Sequence, residues 1–170
     1  MGYSFYLPQI SVRHHSIQNL IDSLVKIFSN YHRSKQKNKD LLLWKLNLRV
    51  TGCIFQNKQR GWLFFFSEIT DKDILHKLDY LVLKLIRRYN VDVKAKKFMK
   101  SFHEIIFNIK QTKYIPNFDS FKHTEKRNAL TNLFDYSDED LLLPEDIDKF
   151  FNREIINQVN ELLVDVKNIS

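Results

Sequence analysis

The 170-residue sequence has one cysteine, three glycines, three prolines and no apolar run approaching the length of a membrane span. Cys53 has no partner for an internal disulfide. No histidine neighbours it in sequence and no activating motif surrounds it, so it reads as a small hydrophobe buried within a strand rather than a nucleophile. The only glycines are Gly2, Gly52 and Gly61, which excludes both a phosphate-cradling glycine loop and a nucleophile elbow. So few glycines and prolines leave few hinges and predict a rigid, helix-rich body. The N-terminus shows no secretory pattern, and Tyr6 stands where a myristoylation motif needs Ser or Thr. The expected location is therefore the cytoplasm, with no membrane partner.

Metal-binding patterns are also missing. The acidic cluster Asp135, Asp138, Glu139 and Asp140 lacks the glycine that a calcium loop needs at its bend. The six histidines are scattered, and the adjacent pair His14-His15 would point apart rather than at one ion. No metal site is expected.

Apolar residues make up 44% of the chain and aromatics 14%, with 14 phenylalanines, which excludes global disorder and supports one domain with its own core. The net charge of +7 is unevenly divided. Residues 1–128 carry 24 Lys and Arg against 10 Asp and Glu, giving +14, whereas residues 129–170 carry 3 against 10, giving −7. A basic body with an acidic last quarter predicts a polyanion-binding surface and a segment that either shields that surface or faces another partner, while the apolar stripe of the last helix predicts that it docks structurally.

Helical periodicity organises most of the chain. A helix is predicted over 16–31, followed by a polar basic run over 33–39. A second opens at a Thr70/Asp73 capping box and buries Ile74, Leu78, Leu81, Val82, Leu85 and Tyr89. A third runs over 95–109 and a fourth over 123–134. After an acidic loop over 135–140, Pro144 at the first helical position starts a last helix to about Lys167. The segment 44–68 reads differently. Leu46, Leu48, Val50 and Ile54 alternate with Asn47, Arg49, Thr51 and Cys53, the period of a half-buried strand. Trp62 to Phe66 forms an apolar return arm, and Gln56 to Gly61 supplies the turn, with Gly61 at positive φ. The predicted fold is α+β, about five helices on one antiparallel hairpin.

The candidate binding residues follow from this reading: Arg49, Lys58, Arg60 and Trp62 on the hairpin, and Lys94, Lys96, Lys97 and Lys100 beside the third helix. Cations joined to a stacking-capable aromatic suit backbone tracking without sequence readout. The lysines also sit at a helix N-terminus, against the dipole, and a bound phosphate would relieve that conflict. Tyr114 to Phe118, extended by Pro116, is predicted to strap the core. No catalytic residue is expected.

Four segments in order, Leu48-Arg49-Val50-Thr51-Gly52-Cys53, Gly61 to Ser67, His76-Lys77-Leu78-Asp79 and Tyr114-Ile115-Pro116-Asn117-Phe118, resemble the C-terminal, post-palm region of bacterial retron-like, phage-defence-associated reverse transcriptases. The resemblance covers most of the chain. It implies the thumb-side, primer-grip-like portion of an RNA-directed DNA polymerase that binds an RNA/DNA template–primer in antiviral defence. The chain contains no Asp-Asp pair, so the carboxylates for two-metal phosphoryl transfer are absent and Mg²⁺ is expected only with a palm-containing polypeptide. The alternative is a stand-alone, non-catalytic basic protein that binds nucleic acid or a partner.

Overall fold

Helices with a single apolar face need a neighbour on one side only, and the helices predicted from periodicity are of that kind. The computed structural model describes residues 3–6 and 9–167. Hairpin β1–β2 (Tyr3–Tyr6, Gln9–Val12) opens it, and sequence reading did not anticipate this element. Helix α1 (His14–Arg33) follows, starting two residues before the predicted Ser16 and burying Leu20, Leu24, Ile27 and Phe28. Then come α2 (Lys39–Thr51), β3 (Cys53–Phe55), β4 (Lys58–Arg60), the single-turn α3 (Trp62–Phe65) and α4 (Asp73–Arg88). Next are α5 (Phe98–Phe107), α6 (His123–Phe134) and α7 (Pro144–Lys167), with α6 and the start of α7 where the sequence predicts them. The architecture is α+β and mostly helical.

The long hairpin over 44–68 does not form. Its first arm is α2, and only Cys53–Phe55 and Lys58–Arg60 pair, with Cys53 opposite Arg60 and Phe55 opposite Lys58. Its return arm is α3. The reason is that α2 is buried on two sides. Leu42, Leu46 and Val50 join a first core cluster, and Leu48 joins a second. A helix apolar on both sides places apolar residues two apart, so over a few residues it imitates the alternation of a strand. The Thr70/Asp73 capping box also fails to form. The Thr70 hydroxyl accepts from the Ile10 N–H at 2.8 Å, tying the first hairpin to the approach to α4, and the Asp73 N–H bonds Asp71.

The first cluster joins α1, one side of α2, and α3, α4 and α5, around Phe28, Trp62, Phe66 and Phe98. The second lies under α6 and α7, where Phe118, Leu130, Leu141, Phe151 and Ile155 meet Cys53 and Phe55. The Tyr114 to Phe118 strap crosses between them: Ile115 is buried in the first cluster and Phe118 in the second, and the Ile54 N–H donates to the Pro116 carbonyl at 2.9 Å.

Two glycines make the helix-to-hairpin junction possible. Gly52 ends α2 at φ 67° and Gly61 precedes α3 at φ 125°. Their backbones are so close that a Cβ on Gly52 would lie 2.3 Å from the Arg60 carbonyl oxygen. Gly52→Ala therefore combines overpacking against backbone with left-handed strain and is expected to destabilise by about 2–4 kcal/mol. Chemical denaturation measures this, and a loss below about 0.5 kcal/mol would mean that the junction relaxes freely.

Candidate nucleic-acid interface

Arg49 and Trp62 do not face an open groove. Because α2 is a helix, Arg49 lies against α7, is 8% exposed and donates to the Asp165 carboxylate, to the Glu161 carbonyl at 2.8 Å and to the Glu161 carboxylate at 3.3 Å. Trp62 is 1% exposed, and its indole N–H donates to the Ser16 carbonyl at 3.2 Å. Both are structural, the first as a buried ion pair and the second as the largest fully buried side chain.

The hairpin tip is basic, but its backbone already holds an anion. Gln56 and Asn57 both adopt positive φ, and their N–H groups donate to the two oxygens of Asp119 at 2.7 and 2.8 Å. Successive N–H groups turned to one side form an anion-binding nest, and here Asp119 fills it. Lys58 is exposed, while Arg60 is half-buried with its Nε meeting no acceptor among the described residues. Of the hairpin candidates, Lys58 alone is fully available to a phosphate.

The lysines before α5 divide in the same way. The conflict with the helix dipole is relieved from within the chain. Asp79, on α4, accepts from the Phe98 N–H at 2.6 Å and the Met99 N–H at 3.3 Å, supplying the anion at the N-terminus of α5. Burial raises the Asp79 pKa above the usual carboxylate value, against the lowering effect of those two hydrogen bonds. No bound phosphate is required there. This cap was missed in sequence because the capping residue lies on another helix, about twenty residues earlier.

Lys96 is half-buried and donates to the Tyr114 carbonyl, with burial and then Lys100 lowering its pKa. Lys94, Lys97 and Lys100 are exposed, and none of the three takes part in an ion pair among the described residues. Lys97 and Lys100, like Lys96, meet Tyr114. The Lys97 N–H donates to its hydroxyl at 2.8 Å, and the Lys96 and Lys100 ammonium groups lie 4.9 and 4.6 Å from the ring centre. Burial raises the Tyr114 pKa, so the phenol is protonated and neutral at physiological pH.

One strap serves both basic elements. Tyr114 carries the lysines, Pro116 pairs with β3, and Asp119 holds the hairpin tip. Five residues separate Tyr114 from Asp119, a span of at most about 18 Å. The strap thus ties the hairpin tip at Gln56 and Asn57 to the segment of Lys96, Lys97 and Lys100, about forty residues apart in sequence.

Other candidate chemistry is accounted for structurally. Burial pushes the Cys53 thiol pKa up to about 12, which keeps it protonated and inert. In the acidic loop Asp138 pairs with Arg127 at 3.0 Å, and Asp140 accepts from the Ser137 backbone and hydroxyl, bonds that lower its pKa. Among the described residues no three His, Cys, Asp or Glu side chains converge on a point where an ion could sit, and no helix is long and apolar enough to cross a membrane. Comparison with known proteins assigns no relatives: no family model matches the chain, and neither a curated protein nor a solved structure matches it.

Proposed function

We propose that this chain is a nucleic-acid-binding module, the thumb-side, primer-grip-like portion of an RNA-directed DNA polymerase in antiviral defence, acting with a palm-containing polypeptide. The observation that carries the binding part is the group of exposed lysines without an ion pair among the described residues, Lys94, Lys97 and Lys100, of which Lys97 and Lys100 meet Tyr114 on the strap whose Asp119 holds the hairpin tip beside Lys58. The polymerase part rests on the order of the four sequence segments. The lysine trio contacts phosphates as point charges, and the half-buried Tyr114 orders Lys97 and Lys100. A second reading, a stand-alone non-catalytic nucleic-acid-binding protein, is favoured by the burial of Arg49 and Trp62 and by Asp119 occupying the tip nest. These leave the hairpin with little of a grip.

The combined substitution Lys94→Ala, Lys97→Ala and Lys100→Ala is expected to weaken RNA–DNA duplex binding at every sequence. It should also flatten the plot of log K against log salt by about 2–3 units, one counterion per lost phosphate contact. Fluorescence anisotropy across a salt series reads both quantities. An unchanged slope would return these lysines to a merely solvated surface. Primer extension upon addition of a palm-containing polypeptide and Mg²⁺ separates the two readings: extension supports the polymerase, and binding without it supports the stand-alone protein.

A further inference from the structure

A cavity of about 240 Å³ opens between α1, α2 and the loop joining them, with Glu161 of α7 at its edge. Three cations line it, Lys26, Lys45 and Arg49, against the single carboxylate of Glu161. Arg49 is already committed to α7, but neither Lys26 nor Lys45 makes an ion pair among the described residues. The remaining wall is mixed: Ile27, Leu41, Leu42 and Tyr31 supply apolar and aromatic surface, and Ser23, Asn30, Ser34, Gln36 and Asn38 supply uncharged polar groups. A concave site that joins an apolar patch to convergent polar and charged groups is suited to a small ligand with both kinds of surface. Two lysines of the lining without an ion pair among the described residues call for an anion of charge near −2, the charge of a phosphate monoester at neutral pH. The apolar wall with one phenol ring calls for a flat, partly apolar body attached to it. The volume lies just below the range of about 300–1,000 Å³ typical of drug-sized ligands, which suits one nucleotide and excludes a dinucleotide.

We infer that this cavity binds a nucleoside monophosphate, with its phosphate held by Lys26 and Lys45 and its base against Tyr31, Leu41 and Ile27. The ligand competes with Glu161. That carboxylate is half-exposed and lies 3.3 Å from Arg49 Nη2, so an entering phosphate takes over this outer hydrogen bond while Asp165 keeps the inner one. The site is independent of the lysine trio. Asn47 of α2 accepts from the Lys96 N–H at 2.7 Å, and Lys45 and Arg49 each stand two residues away from it. A two-residue step turns a helix by about 200°, so the cavity lies across α2 from the lysines.

Titration calorimetry on the full chain with each of the four common ribonucleoside monophosphates, with adenosine and with inorganic phosphate tests this. At least one monophosphate is expected to bind, and adenosine and inorganic phosphate each about tenfold more weakly or less, since each lacks half of the contacts. The double variant Lys26→Ala, Lys45→Ala should lose about tenfold or more in affinity, while duplex binding through the lysine trio is unchanged. Lys26→Ala alone, at an exposed position, covers the case in which the double variant misfolds. Glu161→Gln removes the competing charge and should tighten binding severalfold, which a purely structural role would not produce. The inference is overturned if no monophosphate binds, if inorganic phosphate binds as well as the monophosphate, or if the lysine variants bind as tightly as the natural chain.

Discussion

Cutting the chain after Asp135 is expected to leave a protein that does not fold and that aggregates. The removed residues include Leu141, Ile147, Phe151, Ile155, Val159 and Leu162, all buried in the second cluster, and their loss uncovers Leu48, Phe55, Phe118 and Leu130. At about 1.5–3 kcal/mol per buried side chain, the six removed residues represent about 9–18 kcal/mol of gross burial. That is comparable with the whole net stability of a domain, about 5–15 kcal/mol. The soluble fraction and near-ultraviolet circular dichroism measure the outcome. The competing possibility, that the acidic last quarter is a removable shield over the basic surface, predicts a soluble, folded truncation that binds duplex more tightly at low salt. The ion pairs argue against it. The carboxylates of residues 135–167 pair with Arg49, Lys126, Arg127 and Arg153, and none of them with Lys94, Lys97 or Lys100. A folded truncation with raised affinity would show α7 to be regulatory.

Arg49→Ala should cost about 3–5 kcal/mol, because it strands Asp165, which is 1% exposed, with Ser23 as its remaining side-chain partner. Replacing both partners, Arg49→Met with Asp165→Leu, should recover most of that loss, since a buried pair contributes little net stability once neither charge remains to be solvated. Urea denaturation of the two variants decides it. An Arg49→Ala protein within about 1 kcal/mol of the natural chain would mean that solvent reaches the pair.

The pH dependence has a definite sign. Burial raises the Asp165 pKa above the ordinary carboxylate value, and Arg49 and Ser23 offset only part of that rise. Between the unfolded value near 3.9 and the raised folded value, the native state binds more protons than the unfolded one. The contribution of Asp165 to stability is therefore present at low pH and is lost as pH rises through that window. Without Arg49 the folded pKa rises further, so the window widens and acidification should restore part of the stability lost in Arg49→Ala.

Where one face of a helix is buried, the sequence was readable. In α1, α4 and α7 a single stripe repeats every three to four residues, and Pro144 marks the start of the last helix. Where the surroundings supply burial on two sides, it was not. The spacing of Leu46, Leu48 and Val50 fits either a strand or a helix with two covered faces, and only the second core cluster under Leu48 decides between them. That choice moved Arg49 from an open row of a hairpin into an ion pair with α7. Trp62 shows the same limit, since an apolar run of five residues carries no period that distinguishes a strand from the turn of helix between Gly61 and Phe66.

The sequence by itself determined the helix-rich α+β class, the absence of a palm-type Asp-Asp pair, the division of charge and the positive φ of Gly61. These depend on local periodicity, composition and backbone sterics, which act over a few residues. Tertiary structure alone decided which cations are free. Asp165 reaches Arg49 across 116 residues, Asp119 reaches the hairpin tip across 62 and 63, and Asp79 reaches the start of α5 across 19 and 20. Each carboxylate satisfies a charge or an N–H that looks unpaired in its own segment. Electrostatic pairing depends on distance in space, and folding sets that distance without regard to separation along the chain.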